Sequence, residues 1–183
     1  QRTPPQAAPS HSVMKVLVVL GHNNYDRSVQ NRKLVARLAG LENVEVLDLW
    51  GRYAAQGFRL TEEQVRADVE RVLAADRIVF QYPMHWYNVP WCLKAWEDQV
   101  FSAISFSDLK PRMAGKELAI ATTTASPSAA YQRVCENGRT LAENIAWPYR
   151  GSAEYLDMAF RGAFFLYPDA EEALAGYAAF VAE

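Results

Sequence analysis

Three short stretches carry residues suited to binding a phosphorylated, planar ligand. The first is "GHNNYDRSVQN", in which His22, Arg27, Ser28 and Asn31 offer hydrogen-bond donors and one fixed charge. It runs into a helical pattern, and helix N-termini present free N–H groups that favour phosphate. It has neither GxGxxG spacing nor a Walker lysine, so it is neither a dinucleotide fingerprint nor a P-loop. The stretch alone fits a capped helix with Ser28 as cap equally well. The second stretch is "YPMHWYNVPW", where Trp86 and Tyr87 supply rigid flat faces and the loop backbone supplies donors for a heteroaromatic ring. The third, "TTTASPSAAY", is small and polar, so a ligand can approach its backbone. Thr123 and Thr124 can bond a ring edge, and Tyr131 can project a hydroxyl. The plain alternative is a loop capping the next helix through Ser126 or Ser128.

Other chemistries find less support. The three histidines, His11, His22 and His85, are too scattered for a zinc site. Cys92 and Cys135 form no CxxC pair, which suits a reduced, cytoplasmic chain. A formal net charge of −2 argues against a general nucleic-acid binder and against a strongly acidic electron carrier. With 183 residues, half of them hydrophobic, the chain suggests one domain with a full core. Residues 1–13 read as a mobile leader or remnant, and 14–183 as the folded unit.

The elements that must position these stretches alternate in period. Apolar β-rich runs at 15–21, 44–50, 77–82, 117–124 and 158–167 read as strands buried on one or both faces. Helical patterns fall at 28–40, 61–75 (Thr61 as cap), 90–102 (Pro90 near the first helical position) and 169–183 (Asp169 as cap). Residues 128–146 read as an irregular helical stretch interrupted at Asn137–Gly138. Strand–helix alternation predicts an α/β three-layer sandwich, with a five-stranded parallel sheet in the flavodoxin-like order 2-1-3-4-5. Ligands then sit beyond the carboxyl ends of the strands, where the three stretches should converge. Leu93, Trp96 and Val100 should pack on the sheet or against a second subunit, together with Trp91.

The segment "PMHWYNVPWCLKAWEDQVF" resembles the P-x-x-W-[FY]-x-x-P-x-x-[LM]-K-x-W-x-[DE]-x-V-[FW] pattern of the NAD(P)H quinone oxidoreductases of flavodoxin-like fold. That group includes mammalian quinone reductase and ancillary oxidoreductases of potassium-efflux systems. The opening loop is similar to the family's H-x-x-x-x-x-S-x-x-N flavin-phosphate loop, with His22, Ser28 and Asn31 in register. "TTASPSAAY" resembles its TTGG loop followed by a tyrosine. The resemblance implies FMN or FAD, NAD(P)H as electron donor, a quinone-like acceptor reduced by a ping-pong cycle, and a homodimer sharing the active site. It assigns Ser28, Val29, Gln30 and Asn31 to the flavin phosphate, and Pro83, Met84, His85, Trp86 and Tyr87 to the ring. Thr123, Thr124, Ala125 and Ser126 fall at its pyrimidine edge, with Tyr131 stabilising charge there.

Three departures from the family pattern stand beside that resemblance. Ala125 and Ser126 stand where the family has paired glycines, which carries a cost if that backbone takes positive φ. Asn137 stands for the family's histidine, and it cannot relay a proton. The segment between Phe101 and Gly115 is short, with Phe106 offered as wall. These departures keep open an alternative: a non-catalytic subunit of the same fold that regulates a membrane transporter.

Overall fold

The computed structural model describes residues 13–183. The leader expected over 1–13, and His11 with it, lies outside the described residues up to residue 12.

Five strands, β1 (Val16–Leu20), β2 (Val44–Asp48), β3 (Arg77–Pro83), β4 (Glu117–Thr123) and β5 (Ala159–Leu166), form one parallel sheet in the order β2-β1-β3-β4-β5. The order expected from the sequence is the order found. The central strands explain their own composition. Every residue of β1 is buried, as are six of the seven in β3 and in β4, because helices cover both faces. The edge strands β2 and β5 expose residues along their length and read less uniformly apolar.

Among the described residues, seven α-helices occur in chain order: α1 (Gln30–Ala36), α2 (Leu49–Tyr53), α3 (Glu62–Ala74), α4 (Trp91–Ser105), α5 (Ser128–Tyr131), α6 (Leu141–Tyr155) and α7 (Tyr177–Ala182). One layer packs Val72, Phe80, Leu93, Trp96, Val100, Leu118 and Tyr149 on one face of the sheet. The other packs Leu34, Leu38, Val79, Tyr177 and Val181 on the opposite face. Thr61 caps α3 with a full capping box, as its T-x-x-Q spacing predicts.

Trp96 belongs wholly to the core. It is fully buried, and its indole Nε1 donates to Asp68 Oδ2 at 2.7 Å. Asp68, also fully buried, accepts from Tyr53 Oη at 2.7 Å and from Arg71 at 3.1 Å as well, so its charge is compensated on all sides.

Pro90 lies where expected, next to the first helical position, as the N-cap of α4. Several other expectations need correcting. The pattern at 44–50 hides a turn of helix, α2, begun by Asp48, whose side chain accepts from Gly51 N. The irregular stretch at 128–146 resolves into α5, a turn closed by a Val134–Thr140 bridge, and α6, which continues through Pro148 to Tyr155. Asp169 does not cap the last helix. That segment is a 3-10 turn over Glu171–Gly176 followed by α7. Asp169 instead accepts from Ser128 N at 2.8 Å and Ser128 Oγ at 2.9 Å. It thereby takes the capping role expected of Ser126 or Ser128, since Pro127 at the N-cap of α5 makes no side-chain cap bond.

Candidate functional site

The three loops meet. In register, Leu20 of β1 stands opposite Gln81, and Pro83 of β3 stands opposite Thr123, so the carboxyl ends of β1, β3 and β4 lie side by side. Gly21 N donates to Gln81 O at 2.9 Å, and Met84 N to Thr123 O at 2.8 Å. Gly21 is required sterically, because a Cβ there would collide with Leu93 Cβ where α4 presses on the end of β1. Asn31, at the start of α1, reaches across 92 positions of sequence to donate from Nδ2 to Thr123 Oγ1 at 3.1 Å. One side-chain bond thus ties the first loop to the third.

The first loop winds through a 3-10 turn, Tyr25–Arg27, braced by Arg32. The Arg32 guanidinium donates to the Tyr25 and Asp26 carbonyls and lies over the Tyr25 ring at 5.1 Å. Ser28 is buried and closes the 3-10 turn through its backbone N–H, but its side chain caps no helix; the N-cap of α1 is Val29, without a side-chain cap bond. The hydroxyl and the first amides of α1 are therefore not spent on a cap. His22 Nδ1 accepts from Asn24 N at 2.9 Å. Burial, with His85 nearby, lowers the His22 pKa against an opposing pull from Asp48. A neutral ring accepting at Nδ1 carries its proton on Nε2, which leaves that nitrogen as a donor.

The second loop is the most distinctive feature of the site. His85 and Asn88 exchange both backbone hydrogen bonds at 2.9 Å, closing a two-residue turn around Trp86 and Tyr87. Both central residues are left-handed, with φ of +48° and +63°. This is the geometry of a type I′ turn, which ordinarily selects Asn-Gly. Bulky residues there cost of order 1–3 kcal/mol each, and such outliers cluster at functional sites. Nothing in the core compensates: Trp86 is 94% exposed and Tyr87 56%. The amides of the two central residues lie outside the turn's own bonds. Asn88 holds the turn from below, accepting at Oδ1 from Val89 N and from Tyr149 Oη at 2.9 Å.

In the third loop, Thr124 Oγ1 donates to Ser126 O at 2.9 Å. Ala125 and Ser126 are exposed and neither has positive φ, so their replacing glycine costs no backbone strain. Tyr131 is buried against Phe165 and Tyr167. Burial, reinforced by Tyr87, raises its pKa, while the neighbouring Thr124 hydroxyl acts the other way.

Two residues read as departures from the family pattern lie exposed. Asn137 is exposed, and its side chain is tied to Asn144 at 2.7 Å and to the Arg139 amide. Phe106 follows the last turn of α4, a helix about 22 Å long whose other end adjoins the loop, and it is 84% exposed. Trp91 is 56% exposed and packs edge-on against Phe58 at 5.0 Å, whereas Leu93, Trp96 and Val100 are buried as expected. Sequence reasoning missed Gln81 and Tyr149. A glutamine inside the otherwise apolar run at 78–82 was the available signal, since a strand buried on both faces must satisfy it.

A family model described as a flavodoxin-like fold matches residues 14–183. The chain belongs to that family. This flavodoxin-like chain is 35% identical over 155 residues to YrkL of Bacillus subtilis, named an uncharacterized NAD(P)H oxidoreductase, a match spanning 84% of this chain and 86% of the relative. Among solved structures, an NADPH-quinone reductase from P. pentosaceus superposes with a TM-score of 0.74 at 23% identity, covering 92% of this chain and 98% of the other. General stress protein 14 of Treponema denticola, solved in complex with FMN, superposes with a TM-score of 0.72 at 22% identity, covering 91% and 93%. Among the described residues, no helix is long and apolar enough to cross a membrane, and no cluster of ligands could hold a metal ion.

Proposed function

We propose that this flavodoxin-like protein is an FMN-dependent NAD(P)H oxidoreductase that reduces quinones or related electrophiles. Membership among oxidoreductases rests on relatives named for NAD(P)H oxidation and quinone reduction. The finer reading rests on one observation above others, the left-handed Trp86–Tyr87 turn held open to solvent beside the point where Asn31 of α1 bonds Thr123 at the end of β4. Strained conformations of this kind cluster at ligand clamps, and two bulky aromatics held so and left largely exposed support a ligand at this turn.

The residues present fit a flavin mononucleotide. Ser28, Val29, Gln30 and Asn31, with the Nε2 donor of His22, would hold the phosphate end, where no side chain caps α1. Pro83, Met84, His85, Trp86 and Tyr87 would support the ring plane and offer the turn's free amides. Thr123, Thr124, Ala125 and Ser126 would meet the pyrimidine edge. Bound there, FMN would supply hydride transfer from NAD(P)H to the acceptor. Tyr131, whose pKa burial raises, keeps a hydroxyl proton to donate, so it suits stabilising negative charge at that edge. Asn137 replaces a proton relay with a neutral amide, and its side chain serves the turn before α6. A homodimer is part of the proposal: Trp86, Tyr87 and Trp91 leave an aromatic surface beside the site that a second subunit would complete. The transporter-subunit alternative drew on the lost glycines and on Asn137 in place of the histidine; the absence of positive φ at Ala125 and Ser126 weakens the first of these grounds.

The test is a titration of purified protein with FMN, then anaerobic addition of NADH or NADPH. FMN at about a hundred times its Kd should stabilise the fold by roughly 2.7 kcal/mol. The nucleotide should bleach the flavin colour without a second protein. A protein that binds FMN but is not bleached by either nucleotide would be an electron carrier or a regulatory subunit instead.

A further inference from the structure

Beneath the candidate site lies a buried chain of side-chain hydrogen bonds that begins on the last helix. Tyr177 Oη, at the start of α7, donates to Gln81 Oε1 at 2.7 Å. Gln81 Nε2 donates to both oxygens of Asn31, the backbone carbonyl at 3.2 Å and Oδ1 at 3.1 Å. Asn31 Nδ2 donates in turn to Thr123 Oγ1. Tyr177 and Gln81 are fully buried, Asn31 is 1% exposed and Thr123 6%.

The direction of this chain is forced. A backbone carbonyl can only accept, so the nitrogen of the Gln81 amide must face Asn31 and its oxygen must face Tyr177. The phenol, which burial keeps protonated, then has to donate. With Gln81 Nε2 against Asn31 Oδ1, the nitrogen of Asn31 is turned toward Thr123. Thr123 Oγ1 therefore receives a proton from below, and its own hydroxyl proton has no acceptor among the described residues. Burial makes each link strict, because an amide turned over here would set two acceptors face to face out of reach of water.

We propose that Tyr177 and Gln81 are positioning residues for the cofactor: they lock Asn31 at the entrance of α1 and fix the Thr123 hydroxyl as a donor to the ligand. This deepens the flavin reading and rests on it. It makes the carboxyl-terminal helix part of the site's foundation, although α7 supplies none of the expected binding residues. Arg77 secures the far end of the same helix, donating to the Phe180 and Val181 carbonyls at 3.0 and 2.9 Å.

The decisive variant is Tyr177→Phe, which keeps the ring and removes the proton that begins the chain. Circular dichroism checks folding, fluorescence quenching gives the FMN Kd, and the visible spectrum of bound FMN reports bonding at the ring edge. The expected result is a folded protein that binds FMN about tenfold more weakly, with a shifted flavin spectrum. A folded Tyr177→Phe with wild-type Kd and spectrum would overturn the inference, since a purely structural hydroxyl leaves both unchanged. Should Tyr177→Phe fail to fold, Gln81→Met, an isostere that makes none of the bonds, is judged by the same two readouts. Wild-type protein that binds no FMN would overturn the functional reading and this inference with it.

Discussion

At the scale of single residues, the site is built on a conflict between local preference and position. Trp86 and Tyr87 occupy backbone conformations suited to Asn and Gly, yet Trp86 gains almost no burial in return and Tyr87 stays more than half exposed. Replacing the pair by Asn–Gly should therefore stabilise the protein, by about 1–3 kcal/mol, while abolishing or severely weakening flavin binding. Chemical denaturation and FMN titration on the same variant check both halves. Stabilisation with unchanged affinity would remove these side chains from the site. The tryptophans also divide by role. Trp86→Ala should weaken FMN with little effect on stability, whereas Trp96→Ala should cost about 3–5 kcal/mol through its cavity and the orphaned Asp68 carboxylate. Equal flavin affinity in the two folded variants would contradict this division. Cys92 offers a simpler check. Burial pushes its thiol up to about 11, so a thiol reagent at neutral pH should label Cys135, which is partly exposed, and reach Cys92 only on unfolding.

At the scale of elements, helix α4 joins core and site. Its inner face carries Leu93, Trp96 and Val100, and its first turn follows the Trp86–Tyr87 loop directly. Glu97 lies on the same helix, 8% exposed, paired with Lys94 at 3.2 Å. Burial raises its pKa above the ordinary 4.5, with Lys94 pulling the other way and Asp98 adding slightly. The folded state thus holds this proton more tightly than the unfolded chain. Its contribution to stability is full below pH 4.5 and is lost as pH rises through the raised native value. Glu97→Gln should flatten that part of the stability–pH curve, read as denaturation midpoints from pH 4 to pH 8 (about the window in which a raised carboxyl titrates). An unchanged slope would mean that Glu97 is solvated in solution. Capping shows how far element-level reasoning reaches. The Thr61 box was legible because its partners lie three residues apart. The role of Asp169 was not, because its partner Ser128 lies 41 positions away and meets it only when β4 and β5 pair.

At the scale of the whole molecule, the order of residues was enough to specify the sheet. Continuous apolar runs separated by helical periods admit few other arrangements, since a parallel strand buried on both faces has to be covered by crossover helices. The same logic put the loops after β1, β3 and β4 at one end, and their residue types suited a phosphorylated, planar ligand. How those loops are held emerged only in the folded chain. The left-handed turn at Trp86 and Tyr87 runs against local preference, so no propensity could reveal it. The bonds from Tyr177 to Gln81 and from Asn31 to Thr123 join residues 96 and 92 positions apart. Hydrogen bonds of that reach have no signature in spacing; they exist because the sheet brings the strand ends together and burial then requires every polar atom there to find a partner.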